Sequence, residues 1–263
     1  MVAGGDILNI AVSRDGKWVV SGTRIGLVTV WNAESYLKVT EWKAHNDAVG
    51  AIDVSPDGTR IATGSNDKTL CVWALSTGKQ LLGPLEHVME VVAAKFSPNG
   101  RLIATATWNR DVRVYDSQNG GLLGEFGPVG LGVNSGLNQS LAWASDSKQL
   151  FALSRDGHVH CLDVCTWTTT SNWAIHSSDK AMCIALAGNG TFIAVSANSS
   201  VSFWDTATQK QIGPVIKHTN DIWCMAISSN YDLAMRSNTI TLLPGGLRDS
   251  LPSHYFDNVR VSA

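Results

Sequence analysis

The stretch 45–73, HNDAVGAIDVSPDGTRIATGSNDKTLCVW, decides the fold. Its apolar runs predict three short β-strands, at 48–54, 60–65 and 70–74. The segment SPDG at 55–58 predicts a tight turn, because proline presets φ, aspartate bonds its own backbone and glycine accepts a positive φ. A further turn, STGK, ends at Lys79 and a fourth strand begins at Gln80. The stretch therefore predicts one small antiparallel sheet of four strands.

Four polar side chains stand out in this unit: His45, Thr63, Asp67 and Trp73. Antiparallel pairing can bring them together, so that the imidazole, hydroxyl, carboxylate and indole N–H satisfy one another. An alternative interpretation is a hydrolase triad. We disfavour it because a nucleophile must lie beside a substrate cleft, whereas this set lies where sheets pack together.

The unit recurs along the chain. The turn after its first strand aligns on anchors spaced 41 to 47 residues apart, at Ser13, Ser55, Ser97, Ala144, Ala187 and Ser228. The repeat resembles the WD40 repeat, which has a histidine before the first strand, an aspartate in a turn and a tryptophan in the third strand. The resemblance implies an all-β fold, a β-propeller of about six four-stranded antiparallel blades. The rival prediction is a truncated seven-bladed ring.

One domain, 1–263, is expected. Its approximate repeats are 7–42, 43–84, 85–126, 138–175, 176–213 and 214–250. We interpret the tail, 252–263, as a closing strand or as the start of a truncated repeat. If it pairs with the first repeat, the six-bladed ring closes or nearly closes, which protects the sheet edges.

The resemblance also assigns a role to the polar sets. The family's hydrogen-bonded set maps onto His45, Thr63, Asp67 and Trp73, and it is structural and not catalytic in that family. In the third repeat the corresponding residues are His87, Thr105, Asn109 and Tyr115. Asparagine and tyrosine still form hydrogen bonds, so we expect this second set to be weakened but present.

Composition bounds the function. Hydrophobic residues make up 44% and charged residues 16% of the 263 residues, which favours an ordered core. A net charge of −2 gives no electrostatic reason to expect nucleic acid as a partner, and no apolar run is long enough for a membrane span. Five cysteines without a C-x-x-C pair, together with the absence of a signal-peptide pattern, predict a cytoplasmic or nuclear protein.

Candidate binding residues follow from the resemblance. Family members bind partners on the face around the central channel that carries the loops from fourth to first strand and from second to third strand. The corresponding positions here are Trp108, Arg155, Arg24, Asn66, Glu90, Trp223 and Asp221. Trp108 is the most informative, because an exposed tryptophan in a turn serves well as an interface anchor. With the two arginines it suggests an aromatic and basic face suited to an acidic or phosphorylated peptide.

The sequence thus predicts a non-catalytic protein–protein interaction scaffold that binds a peptide or protein partner on this face. One alternative is a C-terminal sensor or recognition array of a larger multidomain protein. Another is a propeller enzyme, for which the sequence offers only His158 and His160, two apart on a strand, as candidate metal ligands. Neither paired carboxylates at one site nor metal-ligand spacing appears, so we expect no catalytic residues, metal or cofactor.

Overall fold

The computed structural model describes residues 6–108, 111–126, 140–154, 157–175, 181–187, 190–222, 224–227, 231–236, 240–243 and 246–256. These residues form six antiparallel sheets, and in each sheet the strands pair in chain order. Five sheets have four strands and the sixth has three. The fold is a β-propeller in which each sheet is one blade.

The first three blades follow one another without interruption. Blade one contains β1 (Ile7–Val12), β2 (Trp18–Thr23), β3 (Leu27–Asn32) and β4 (Lys38–Lys43). Blade two contains β5 (Val49–Val54), β6 (Arg60–Ser65), β7 (Thr69–Ala74) and β8 (Gln80–Glu86). Blade three contains β9 (Val91–Phe96), β10 (Leu102–Thr107), β11 (Val112–Asp116) and β12 (Leu122–Phe126).

Blades four to six complete the sheets. Blade four contains β13 (Leu141–Trp143), β14 (Gln149–Leu153), β15 (His158–Asp163) and β16 (Thr168–Ala174). Blade five contains β17 (Ala181–Leu186), β18 (Phe192–Ala197), β19 (Ser200–Asp205) and β20 (Gln211–Lys217). Blade six contains β21 (Cys224–Ile227), β22 (Leu233–Arg236) and β23 (Ile240–Leu243). Strands β4, β8 and β20 continue past the predicted repeat ends at 42, 84 and 213.

Turn chemistry explains why these strands form. In blade two Gly58 has φ 69°, and its N–H donates to the Ser55 carbonyl at 2.8 Å. The Arg60 N–H donates to the Ser55 hydroxyl oxygen at 2.9 Å, which fixes the start of β6. Gly16 and Gly100 occupy the same place in blades one and three, with φ 72° and 70°. The repeated turn therefore sets the same register in successive blades.

The apolar cores lie between consecutive blades. Within the described ranges five clusters of buried residues join blade one to two, two to three, three to four, four to five and five to six. The first strands of neighbouring blades lie against each other, β1 on β5, β5 on β9 and so on to β17 on β21. Each blade thus buries its apolar faces against its neighbours, as stacked repeats must.

The outward faces of the first and last blades are exposed. Ile10 and Val12 of β1 are 60% and 58% exposed, and Ile240 and Leu242 of β23 are 74% and 65% exposed. No buried cluster among the described residues joins blade six to blade one. The described residues therefore show a stack of six blades with an open side.

The segment after β23 differs from the expected fourth strand of the sixth repeat. Gly246–Ser250 form a short helix, α1, and Ser253–Tyr255 form a 3₁₀ turn. Leu247, Leu251 and Phe256 pack into the core between blades five and six, so this segment covers that core and does not extend the sheet. The sequence predicts a closing strand or the start of a truncated repeat in the tail 252–263. Its residues 252–256 contain the 3₁₀ turn and no strand, and 257–263 lie outside the described residues.

Candidate functional site

The structure places the four polar residues of blade two in one hydrogen-bonded chain. The carboxylate of Asp67 accepts from Nδ1 of His45 at 3.0 Å. The Thr63 hydroxyl lies 2.7 Å from Nε2 of His45 and accepts from the Trp73 indole N–H at 2.8 Å. Thr63 is fully buried and His45 nearly so. The set therefore ties the approach to β5 to strands β6 and β7.

Burial shifts the pKa of His45, whereas hydrogen bonds shift that of Asp67. Burial lowers the pKa of His45, although Asp67 opposes the shift. Burial also acts to raise the pKa of Asp67, but hydrogen bonds from Thr69, Asn46 and His45, with the charge of His45, outweigh it, so that pKa is lowered. A neutral imidazole can donate to Asp67 and accept from Thr63, which satisfies both ring nitrogens.

Blade three builds a variant of the same set. Nε2 of His87 lies 3.0 Å from the Thr105 hydroxyl oxygen and 3.1 Å from the Tyr115 hydroxyl oxygen, and Nδ1 lies 3.1 Å from the carbonyl oxygen of Leu85. Burial lowers the pKa of His87 to about 4. Asn109, the remaining predicted member, lies outside the described residues. Here tyrosine bonds the histidine directly, whereas in blade two tryptophan bonds the threonine.

A cavity of about 420 Å³ opens near the first strands of blades one to three. It is lined by Leu8, Asn9, Gly50, Asn66, Met89, Glu90, Val92 and Trp108. These residues come from the starts of β1, β5 and β9 and from the turns that follow β6 and β10. The cavity therefore lies at the mouth of the channel, on the face where the candidate binding residues are expected.

Backbone contacts hold the cavity walls in place. The Trp108 N–H donates to the Glu90 carbonyl at 2.9 Å, which fixes the tryptophan beside the glutamate. Asn9 donates from Nδ2 to the Gly50 carbonyl at 2.8 Å and so joins blade one to blade two. A Cβ on Gly50 would lie 2.9 Å from the Val91 carbonyl oxygen, so only glycine lets β5 approach β9 this closely.

Three of the seven predicted binding residues meet in this cavity: Asn66, Glu90 and Trp108. Arg24 does not line it, and its guanidinium is 3.6 Å from the Asp6 carboxylate. Asp221 is exposed and also lies outside the lining. Arg155 and Trp223 fall outside the described residues.

The lining residues that the structure describes do not include a basic side chain. Glu90 is the charged residue among them, and Arg24 lies elsewhere. Arg155, the other predicted arginine, falls outside the described residues, so the aromatic and basic face for an acidic or phosphorylated peptide stays a prediction.

Of the eight lining residues, sequence reasoning missed Leu8, Asn9, Gly50 and Met89, while Val92 stands at the aligned position two residues after Glu90. Asn9 carried a usable signal, because it is the polar residue in an otherwise apolar strand, ILNIAV. The other three had none, since an apolar residue or a glycine at the start of a strand is equally expected in a buried core.

A second cavity, of about 600 Å³, lies at the opposite ends of the first strands. Its lining includes Val12, Val54 and Trp143 at or near strand ends and Arg14, Pro56 and Pro98 in the turns that follow. Among the described residues no group of three or more His, Cys, Asp or Glu side chains is placed to hold a metal ion, and no helix is long and apolar enough to cross a bilayer.

The family model described as "WD domain, G-beta repeat" matches residues 37–74, 79–116 and 165–205. These segments are WD40 repeats. Each WD40 match begins in the connection before the last strand of one blade and ends at the last residue of the third strand of the next blade. The WD40 repeat is thus offset by one strand from the blade. No curated protein matches the chain.

Proposed function

We propose that this WD40 propeller is a non-catalytic protein–protein interaction scaffold. It binds a peptide or an extended segment of a protein partner in the 420 Å³ cavity at the channel mouth, with Trp108 as the anchor. WD40 propellers typically serve as interaction scaffolds, which supports the general class.

The exposure of Trp108 carries the proposal. Its side chain is 46% exposed, although the tryptophans of the third strands in blades two and five, Trp73 and Trp204, are 6% and 9% exposed. A tryptophan that is about half exposed beside a cavity can contact a partner directly. Tryptophan is also enriched among the residues that dominate binding energy. The cavity volume falls within the range of ligand-binding sites in proteins.

A non-catalytic role is supported by the burial of the polar sets. The Thr63 hydroxyl is fully buried between strands and already bonded to His45 and Trp73, so it is not presented to a substrate. The free thiols favour the cytoplasm or nucleus as the compartment, and the near-neutral charge favours protein over nucleic acid as the partner.

The test is a quantitative pull-down from cell extract with the wild-type chain, Trp108→Ala and Leu81→Ala. Leu81 has the same exposure as Trp108 but lies on β8, at the outer edge of blade two. We expect Trp108→Ala to weaken specific partners by tenfold or more, since anchors contribute about 2 kcal/mol or more, and Leu81→Ala to have little effect.

A third variant, Arg14→Ala, checks the face, because Arg14 lines the cavity at the opposite mouth. Partners that bind Trp108→Ala as well as wild type would contradict the proposal. Equal loss with Arg14→Ala would contradict the assignment to this face.

A further inference from the structure

The residues that line the cavity indicate which type of partner side chain it binds. We propose that the cavity receives a basic side chain, lysine or arginine, of the partner segment. Its charged end pairs with Glu90 and its alkyl stem lies against Trp108. This inference rests on the proposed function and adds the chemical class of the anchor residue.

Glu90 supplies a carboxylate to the cavity. One of its oxygens, Oε2, is buried and has no hydrogen-bond partner among the described residues. No arginine, lysine or histidine stands among the described lining residues to balance it. Glu90 lines the cavity, so a cation placed there gains a charge-assisted interaction with its carboxylate.

The walls of the cavity are largely apolar and aromatic. Leu8, Met89 and Val92 are apolar, and Trp108 presents an aromatic surface. Lysine and arginine bury their methylene stems along apolar surface while the charge lies at the far end, and both are attracted to the face of a tryptophan. The combination of apolar walls and one carboxylate fits such an amphipathic side chain.

The described lining of the cavity disfavours an anion. Asn9 already donates from Nδ2 to the backbone carbonyls of Val49 and Gly50, at 3.3 and 2.8 Å. A phosphate or carboxylate in the cavity would meet the like charge of Glu90, and no cationic side chain stands among the lining residues that the structure describes. An acidic or phosphorylated anchor is therefore disfavoured at this place.

The experiment is a selection of random twelve-residue peptides displayed on phage against the purified full chain. Four proteins are compared: wild type, Trp108→Ala, Glu90→Gln and Asp221→Asn. Glu90→Gln removes the charge while keeping the shape. Asp221→Asn is the matched control, since Asp221 is an exposed carboxylate outside the cavity.

Selected peptides are then synthesised with each arginine replaced by citrulline, or each lysine by norleucine, which removes the charge. We expect wild type to select peptides that share one basic position, and neutralising that position to weaken binding about 10- to 100-fold. Glu90→Gln should bind both versions of a peptide about equally, whereas Asp221→Asn should behave as wild type.

The selection distinguishes failure of the basic-anchor inference from failure of the proposed function. Peptides that depend on Trp108 but share no basic position, or that bind Glu90→Gln as tightly as wild type, would overturn the inference and leave the proposed function standing. A selection that yields no peptide dependent on Trp108 would overturn the proposed function and the inference with it.

Discussion

His87 is a weak base buried inside blade three. Its ring nitrogens are occupied by the Leu85 carbonyl, the Thr105 hydroxyl and the Tyr115 hydroxyl. Burial lowers its pKa to about 4, against 6.5 for the free side chain. Among the described residues no carboxylate is hydrogen-bonded to this imidazole to balance a buried proton, whereas His45 of blade two bonds Asp67.

This shift predicts a loss of stability in mild acid. Between pH 6.5 and 4 the unfolded chain binds a proton at His87 that the folded chain does not, so folding is disfavoured as pH falls through this range. From pH 7.5 to 5 the free energy of unfolding should fall by about 2 kcal/mol from His87 alone. Urea unfolding of wild type and His87→Gln at both pH values measures this contribution.

Comparing wild type with His87→Gln at each pH isolates the contribution of His87 to the free energy of unfolding. The stability gap between wild type and His87→Gln should be about 2 kcal/mol smaller at pH 5 than at pH 7.5. Asp67 does not add to this pH dependence. Its pKa is lowered from 3.8 in the folded chain, so the stability that it provides is present above pH 3.8 and is lost only in stronger acid. A gap that stays constant with pH would show that His87 is not held neutral in the folded state.

At the scale of elements, Arg60 links blade two to blade three. Its guanidinium donates from Nη1 to the Ser117 carbonyl at 2.7 Å and from Nη2 to the Gly100 carbonyl at 2.9 Å. It also lies 5.3 Å from the centre of the Phe96 ring. One side chain at the start of β6 thus binds two turns of the next blade. These turns lie on the face of the blades opposite the one that carries Trp108.

We predict that Arg60→Lys lowers the free energy of unfolding by about 1.5–3 kcal/mol, because an ammonium does not reproduce the forked donors or the stacking. Arg101→Lys is the control, since Arg101 is exposed and lies beside the same turn. Urea denaturation of wild type, Arg60→Lys and Arg101→Lys measures the two differences in the free energy of unfolding. Equal stability of both variants would mean that the link contributes nothing measurable.

Elements were predictable where their cause is local. The turn SPDG and the alternation around it fix β5 to β7 within one residue of the predicted bounds. The link by Arg60 was not predictable, because its acceptors lie 40 and 57 residues away. Helix α1 was missed since the repeat pattern was extrapolated over GLRDS, a segment without alternating apolar residues.

The candidate site was predictable in part for the same reason. The repeat places Asn66 and Trp108 in turns after the second strands, and Glu90 before a first strand, so the blade pattern alone puts them on one face. It does not say that blade one contributes Leu8 and Asn9 to the same cavity. That depends on how three sheets pack, which no single repeat encodes.

For the whole molecule, the order of the blades decides which positions are core. Ile10 in blade one and Ile52 in blade two occupy equivalent places, each three residues before the anchor of its turn. Ile52 is fully buried against blade one, whereas Ile10 is 60% exposed. The same side chain at the same repeat position therefore has two different environments.

This difference predicts unequal costs of truncation. Ile52→Ala should lower the free energy of unfolding by about 2–5 kcal/mol, because it leaves a cavity in the core between blades one and two. Ile10→Ala should change it by about 0.5 kcal/mol or less, since little buried surface is lost. Urea unfolding of both variants provides the comparison. A similar large cost at both positions would mean that another part of the chain covers blade one in solution.

The exposed face of blade one also bears on how the binding cavity moves. In the part of the chain that the structure describes, blade one is held by a single neighbour, and it supplies Leu8 and Asn9 to a cavity whose far wall is Val92 and Trp108 of blade three. A blade with one neighbour can tilt at the cost of one interface, so this wall has the greater freedom. A ligand that contacts both walls would link blades one, two and three. Part of its binding free energy would then offset the loss of conformational entropy when the motion of blade one is restricted.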